Sequence, residues 1–155
     1  MEHWKKNLWI LAVAQFLVMA AMSMIIPFLP LYLNDLGVKD PDKVQIWAGF
    51  IFGVNFLSAF FVSPIWGMIA DKYGRKMMIL RSGFGMSLTI VLMGFVTGPV
   101  QLLALRFING LVAGFMPAAI SLTAANTPKE RAGYALGTLQ AGAVSGTIMG
   151  PFIGG

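Results

Sequence analysis

The sequence predicts an all-α polytopic membrane protein, and three observations carry that prediction. Hydrophobic residues make up 57% of the chain and charged residues only 11%, whereas soluble domains carry roughly 25% charged residues. The charges are clustered, and long runs without any charge separate the clusters. Uncharged apolar runs of about 18 residues or more are typical of transmembrane helices.

Five spans follow from these runs, because about 20 helical residues cross the hydrocarbon core of a bilayer. The basic N-terminus followed by an apolar run is similar to a signal peptide, but the run continues to Leu33, beyond the usual ~7–15 residues. We therefore predict an uncleaved first span. The predicted spans are residues 8–33, 44–66, 77–96, 101–125 and 133–155.

The basic residues predict the orientation of the spans. Seven Lys and Arg residues lie in the N-terminal tail and in the loops 67–76 and 126–132, whereas the opposite loops hold Lys39 and Lys43 beside three aspartates. The positive-inside rule then places the N-terminus in the cytoplasm of the cell. Topology explains the net charge of +5, so the expected partner is the lipid bilayer and not nucleic acid.

Metal, disulfide and enzyme chemistry are not expected. The chain has no cysteine and a single histidine, His3 in the tail, and one isolated histidine does not make a metal site. The predicted span interiors hold no Asp, Glu or His. We predict neither catalytic residues nor a cofactor.

The stretch "GMIADKYGRKMMI", residues 67–79, joins the second and third predicted spans. A basic cytoplasmic turn explains its Lys and Arg residues, but it does not explain Asp71 or the spacing of the glycines. The stretch resembles the cytoplasmic motif G-x-L-A-D-R-x-G-R-K of the major facilitator superfamily, with Ile69 and Lys72 as mild departures. The resemblance implies a cytoplasmic gate formed by Gly67, Asp71, Gly74, Arg75 and Lys76. Glu130 is the only acid near enough in the sequence to pair with the arginine, so an Arg75–Glu130 ion pair is our hypothesis.

Arg106 stands alone in the fourth predicted span, within "LLALRFINGLVAG". An arginine at the centre of a span costs at least ~2.5–3.5 kcal/mol, so it should face a cavity or a partner; the alternative is that it snorkels to the outer interface. Gly110 and Gly114 follow at intervals of four and narrow this helix face. The stretch resembles a second motif of the superfamily, with Asn109 for the usual Gln, which implies that Arg106, Asn109 and Gly110 serve proton coupling or the cavity. Other polar cavity candidates are Gln15, Asn55 and Gln140.

Two prolines mark the end of the first span, in "MIIPFLPLYL", residues 24–33. Pro27 and Pro30 are expected to kink or end the helix. The pattern is also similar to the proline-rich end of helix one in twelve-helix drug exporters.

The last predicted span carries glycines at every fourth position from Gly142 to Gly154. Four helical residues advance by 400°, so these glycines form one smooth stripe that another helix can approach closely. We expect that helix to belong to a half of the protein beyond Gly155. The spacing also resembles the motif that marks antiporters of the superfamily, carried here by Gly137, Gly146, Gly150, Pro151, Gly154 and Gly155.

These resemblances imply a twelve-helix drug:proton antiporter, of which residues 1–155 form five helices of the N-terminal six-helix half. The missing C-terminal half is then an expected partner, and the piece alone is expected to be inactive. The proton gradient would be the energy source. The 11 Met and 12 Phe suit varied amphiphilic substrates. A symporter or facilitator of the same superfamily stays open as an alternative, as does a membrane remnant that only packs against a partner.

Overall fold

The computed structural model describes residues 3–155, which form six α-helices and one 3₁₀ turn and contain no strand. The all-α prediction is confirmed. The helices are α1 (His3–Asp35), α2 (Pro41–Tyr73), α3 (Arg75–Met93), α4 (Pro99–Val112), α5 (Phe115–Asn126) and α6 (Ala132–Gly154), and the 3₁₀ turn is Lys129–Arg131.

Four helical segments of the described residues are long and apolar enough to cross a membrane: α1, α2, α3 and Pro99–Asn126, which contains α4 and α5. The fifth predicted span forms α6, whose 23 residues give it the length of a span. The chain is therefore a multi-pass membrane protein. Four of its helical segments qualify as spans by length and composition, and α6 is long enough to be a fifth.

The chain divides into two compact units. The first contains the described residues up to Pro27 together with Phe115–Gly155, and the second is Phe28–Gly114. Pro27 and Pro30 were expected to kink or end the first helix. They do not end it, since α1 continues to Asp35. Helices in membranes tolerate proline where neighbouring groups satisfy the freed backbone carbonyls.

In the first unit, α6 lies directly against α1 through the glycine stripe. A Cβ atom added to Gly142, Gly146 or Gly150 would lie 2.5 Å or less from a carbonyl oxygen of α1. The carbonyls belong to residues spaced by four, in the same order as the glycines: Ala12, Phe16 and Ala20. The two helices therefore run in the same direction with their backbones in contact.

This contact corrects the expectation that the stripe faces a helix beyond Gly155. Its first three glycines are covered by α1, because two backbones can approach this closely only where one helix has no side chains. A side chain also fastens the contact: the Ser23 hydroxyl donates to the carbonyls of Ala20, at 3.3 Å, and of Gly146, at 3.4 Å.

In the second unit, the end of α1 packs with α2, α3 and α4. Its apolar core contains Leu29, Leu33, Val44, Ile51, Met93 and Leu102. The hydroxyl of Tyr32 donates to the carbonyl of Met93 at 2.7 Å. That bond ties the last turn of α1 to the last residue of α3.

The connection between α2 and α3 is much shorter than the predicted loop 67–76. Helix α2 continues to Tyr73, α3 begins at Arg75, and Gly74 alone joins them. Its φ of +96° is in a region that glycine adopts without a steric penalty. Its amide donates to the carbonyl of Ala70 at 2.9 Å, which caps α2.

The fourth predicted span is not one helix. It is broken after Val112, where Ala113 is extended and Gly114 has a φ of +135°. The sequence explains the position of the break, because Pro117 has no N–H to donate and its ring would clash with the carbonyl of Ala113, four residues earlier. Glycine at position 114 supplies the turn, and Pro117 is tolerated in the first turn of α5.

Candidate functional site

Three polar side chains of the second unit are buried on the facing helices α2 and α4, and we call them the buried polar cluster: Asn55, Arg106 and Asn109. Arg106 lies on α4 with 3% of its surface exposed, so its side chain does not reach an interface as the snorkelling alternative requires. Its guanidinium carbon is 6.0 Å from the centre of the Phe52 ring on α2, at the outer limit of a cation–π contact. Its Nε and Nη2 atoms have no hydrogen-bond partner in the described residues.

Asn109 lies one turn after Arg106 and faces α3. Its Nδ2 donates to the hydroxyl oxygen of Thr89 at 2.6 Å. The Thr89 hydroxyl in turn donates to the backbone of its own helix, at Gly85 and Met86. Thr89 could not be identified from the sequence, because a threonine that bonds its own helix gives no signal there.

Gly110 allows α4 to touch α2 beside this cluster. A Cβ atom at position 110 would overlap the hydroxyl of Ser58 and the carbonyl oxygen of Asn55. The narrow face expected from the sequence is therefore occupied by α2 at Gly110, whereas Gly114 lies in the break after α4 and does not extend that face. Asn55 is itself buried, and its Oδ1 atom has no partner among the described residues.

The cluster combines one cation with two amide oxygens, those of Asn55 and Asn109, that lack hydrogen-bond donors in residues 3–155. Buried polar atoms in proteins are usually satisfied by protein or by ordered water. Within a membrane, such groups are costly and tend to face solute or water pathways. This arrangement can bind water or the polar part of a solute, and its cation favours an anionic group.

The two remaining candidates for a polar cavity, Gln15 and Gln140, differ in burial. Gln15, on α1 in the first unit, is fully buried, and neither its Oε1 nor its Nε2 has a partner within the described part of the chain. Gln140 is exposed on α6, so it does not line a buried site here. Helix α6 buries Leu139 and Ala143 instead, one residue before Gln140 and three after it.

The residues of the cytoplasmic motif lie at the end of α2 and the start of α3. Gly67 and Asp71 are exposed on α2, Gly74 forms the turn, and Lys76 is exposed on α3. No neighbour would touch a Cβ atom at Gly67 or Gly74, so only the backbone conformation of Gly74 requires glycine. Arg75 and the exposed Glu130 belong to different units, and their pairing stays a prediction.

The residues of the antiporter motif have unequal surroundings on α6. Gly146 and Gly150 are buried against α1, whereas a Cβ atom at Gly137 would meet no neighbour within 4 Å. Pro151 lies within the helix, which ends at Gly154. The amide of Gly155 donates to the carbonyl of Pro151 at 3.1 Å.

A family model described as Major Facilitator Superfamily matches residues 11–155. The chain belongs to the major facilitator superfamily. Among its curated relatives are proteins named "Multidrug resistance protein MdtG". Those of Rahnella sp. (strain Y9602) and Proteus mirabilis (strain HI4320) are each 47% identical over 99% of this chain. That of Escherichia coli O1:K1 / APEC is 45% identical, again over 99% of the chain.

The chain spans 37% to 38% of the length of these superfamily relatives. The match covers 99% of the chain, and the family model alone covers the cytoplasmic turn, the buried Arg106 cluster and the glycine stripe. The sequence-based assignment to the superfamily is confirmed.

Two residues at the break in the fourth span escaped the sequence analysis. The indole of Trp66 donates to the carbonyl of Leu111 at 2.7 Å, and Arg81 donates to the carbonyl of Val112 at 3.2 Å. From the sequence alone, a tryptophan at the end of a predicted span is typical of an interface anchor, and an arginine near the cytoplasmic start of a span is typical of the positive-inside rule. The sequence does contain a signal for such donors. A glycine at 114 followed by a proline at 117 predicts a break, and the backbone carbonyls before a break need side-chain donors in place of the missing helical amides.

Proposed function

We propose that the chain is the N-terminal part of a multidrug exporter of the major facilitator superfamily that works by proton antiport. The observation that carries this proposal is the 47% identity, over 99% of the chain, to relatives named multidrug resistance proteins. Membership of the major facilitator superfamily favours a transporter over an enzyme. The proposal places the protein in a bacterial cell membrane with its N-terminus in the cytoplasm.

The buried cluster supports a transport role. Arg106, Asn55 and Asn109 leave polar atoms without protein partners, which suits a pathway that water, protons or solute enter in turn. The described span interiors hold no Asp, Glu or His. We therefore assign the proton carrier to the part of the protein outside these residues, or to Asp71 in addition to its proposed role in the gate. Arg106 acts by biasing the protonation of such an acid through its charge.

The proposal extends to the energy source, the substrates and the partners. The energy source is the proton gradient, no cofactor takes part, and the substrates are small amphiphilic compounds. Lipid and the C-terminal half of the transporter are the partners. The 155 residues alone transport nothing, because half of a substrate cavity formed between two repeats would be missing.

A direct test measures the accumulation of a fluorescent amphiphilic dye in cells that produce the complete protein. We expect lower dye accumulation than in cells with an empty vector, and restored accumulation when a protonophore collapses the gradient. Export that survives gradient collapse would overturn antiport. Dye levels equal to the empty vector would overturn drug export, leaving a symporter, a facilitator or a non-transporting protein. Uptake of an ionic or sugar solute by the same cells would identify a symporter or a facilitator.

A further inference from the structure

The break in the fourth span leaves three backbone carbonyls without their helical partners. In a continuous helix, the carbonyls of Leu111, Val112 and Ala113 would accept from the amides of residues 115, 116 and 117. The turn at Gly114 removes the first two partners, and Pro117 has no amide hydrogen. An unsatisfied carbonyl within a membrane is costly, because lipid offers no donor.

Two side chains from neighbouring helices bind these three carbonyls. The Trp66 indole, on α2, donates to Leu111 at 2.7 Å. The Nη2 atom of Arg81, on α3, lies 3.2 Å from the Val112 oxygen and 3.5 Å from the Ala113 oxygen. Each carbonyl that loses its helical partner therefore gains a side-chain donor.

The two donors also hold each other in place. The guanidinium carbon of Arg81 lies 3.5 Å from the centre of the Trp66 ring, close enough for direct stacking. A positive charge at this position also lies at the C-terminal end of α4, where the helix dipole favours a cation. A Cβ atom at Gly114 would reach only to 3.7 Å from Nη2, so the turn encloses the guanidinium without a clash.

We propose that Trp66 and Arg81 form a clamp on the end of α4, and that they are positioning residues for Arg106 and Asn109. The clamp fixes the last turn of α4 against α2 and α3 at once. Asn109 lies two residues, and Arg106 five residues, before the first clamped carbonyl. The rotation and depth of α4, and thus the buried polar cluster, depend on these bonds. The effect on export rests on the proposed function, whereas the clamp itself does not.

The test uses the absence of cysteine from residues 1–155, and any cysteine outside them is first replaced by serine. A single Ala113→Cys substitution in the complete protein reports access to the break through its reaction rate with a membrane-permeant maleimide. Arg81→Gln removes the charge and both bonds. Arg81→Lys keeps the charge but cannot stack flat or bridge two carbonyls. Trp66→Phe keeps an aromatic ring and removes only the indole donor. Arg131→Gln, in the loop before α6, is the matched control for loss of one basic residue.

We expect both Arg81 variants to raise the labelling rate roughly fivefold, the order expected for the loss of one helix cap. Trp66→Phe should raise it by a smaller factor, and Arg131→Gln should leave it unchanged. A rate for Arg81→Lys equal to that of the parent would overturn the clamp, because charge alone would then suffice. If Arg81→Gln does not accumulate in the membrane, the comparison of Arg81→Lys with Trp66→Phe carries the test.

The positioning role is measured separately, as dye export by the same variants without the added cysteine. We expect Arg81→Lys and Trp66→Phe to slow export while Arg131→Gln does not. Faster labelling with unchanged export would overturn the positioning role. If the parent protein itself exports no dye, the proposed function fails, and the labelling rates still decide whether the clamp exists.

Discussion

Arg106 shows how a single residue can be retained at a cost to stability. Its guanidinium is buried, and two of its nitrogens have no hydrogen-bond partner in residues 3–155. Removing a cation from water without such bonds is unfavourable. A residue that destabilises the folded protein in this way is better explained by function than by folding.

The consequence is a variant that gains stability and loses activity. Arg106→Met keeps much of the side-chain volume and removes the buried charge, so we expect the free energy of unfolding to stay the same or rise by about 1 kcal/mol. Dye export should be lost. Thermal unfolding of the purified protein and dye accumulation in cells measure the two effects. Arg131→Met is the control, and a clear fall in the unfolding temperature of Arg106→Met alone would contradict the interpretation.

The effect of replacing a glycine with alanine depends on the atoms that surround the glycine. Gly110→Ala places a methyl group against Asn55 and Ser58, and such overpacking typically costs about 1–3 kcal/mol. Gly49→Ala lies on α2, where an added Cβ atom meets nothing within 4 Å, and there alanine favours the helix. We expect Gly110→Ala to unfold at a lower temperature than the parent and Gly49→Ala to unfold at the same or a higher one. Equal unfolding temperatures would show that α2 and α4 are not in contact at Gly110.

For single residues, the sequence predicted which side chain is chemically important better than it predicted which residues surround that side chain. The lone charge in an apolar run identified Arg106, because the cost of such a residue is visible without a structure. Thr89 and the burial of Gln15 were not predictable, since they depend on which helix faces which. Gln140 illustrates the same limit, because a polar residue in an apolar run can lie on either side of its helix.

In both units, neighbouring helices contact each other at small residues. In the first unit three glycines of α6 register with three carbonyls of α1, and in the second unit Gly110 does the same for α4 and α2. Packing between surfaces without protruding side chains is a major source of helix association in lipid, where the hydrophobic effect contributes little between spans. The stripe was predictable from its spacing, whereas its partner was not.

The stripe allows a comparison between two glycines of the same motif. Gly146→Ala should displace α1, because its methyl group would overlap the carbonyl of Phe16, whereas Gly137→Ala meets no neighbour. We expect an unfolding temperature lowered for Gly146→Ala and unchanged for Gly137→Ala, with a cost of about 1–3 kcal/mol for the former. If Gly137→Ala leaves stability intact and still stops export, that glycine acts outside the contact with α1. Equal losses of stability for both would contradict the assignment of α1 as partner.

The boundaries of the elements were less predictable than their number. The apolar run of the fourth span concealed a break, because hydropathy does not register the missing amide of Pro117. The loop between α2 and α3 was predicted too long, since charged residues near Gly74 continue the helices beyond the apolar region. In both places the deciding signal was a glycine or a proline, and not the hydrophobic pattern.

For the whole molecule, the superfamily and the all-α class were predictable because they rest on composition and on several motifs in order. The orientation in the membrane stays a prediction. It follows from the distribution of lysine and arginine between loops, which the helices themselves do not test.

Single cysteines in the cysteine-free chain can establish the orientation. We expect Phe95→Cys, in the connection between α3 and α4, to react with a membrane-impermeant maleimide added to intact cells. Lys129→Cys, in the turn before α6, should react only after the cells are permeabilised. Both side chains replaced are exposed, and the parent protein controls for background labelling. The reverse pattern would invert the topology.

The lengths of the first three helices imply unequal responses to the bilayer. At 1.5 Å per residue, the 33 residues of α1 and of α2 extend about 50 Å, far beyond the ~30 Å hydrocarbon core. Either helix can shift along the bilayer normal or tilt and still span the hydrocarbon core. The 19 residues of α3 extend about 28 Å and have no excess length. A thicker bilayer would therefore strain α3 first, so hydrophobic mismatch should act on the helix that carries Arg81 and Thr89.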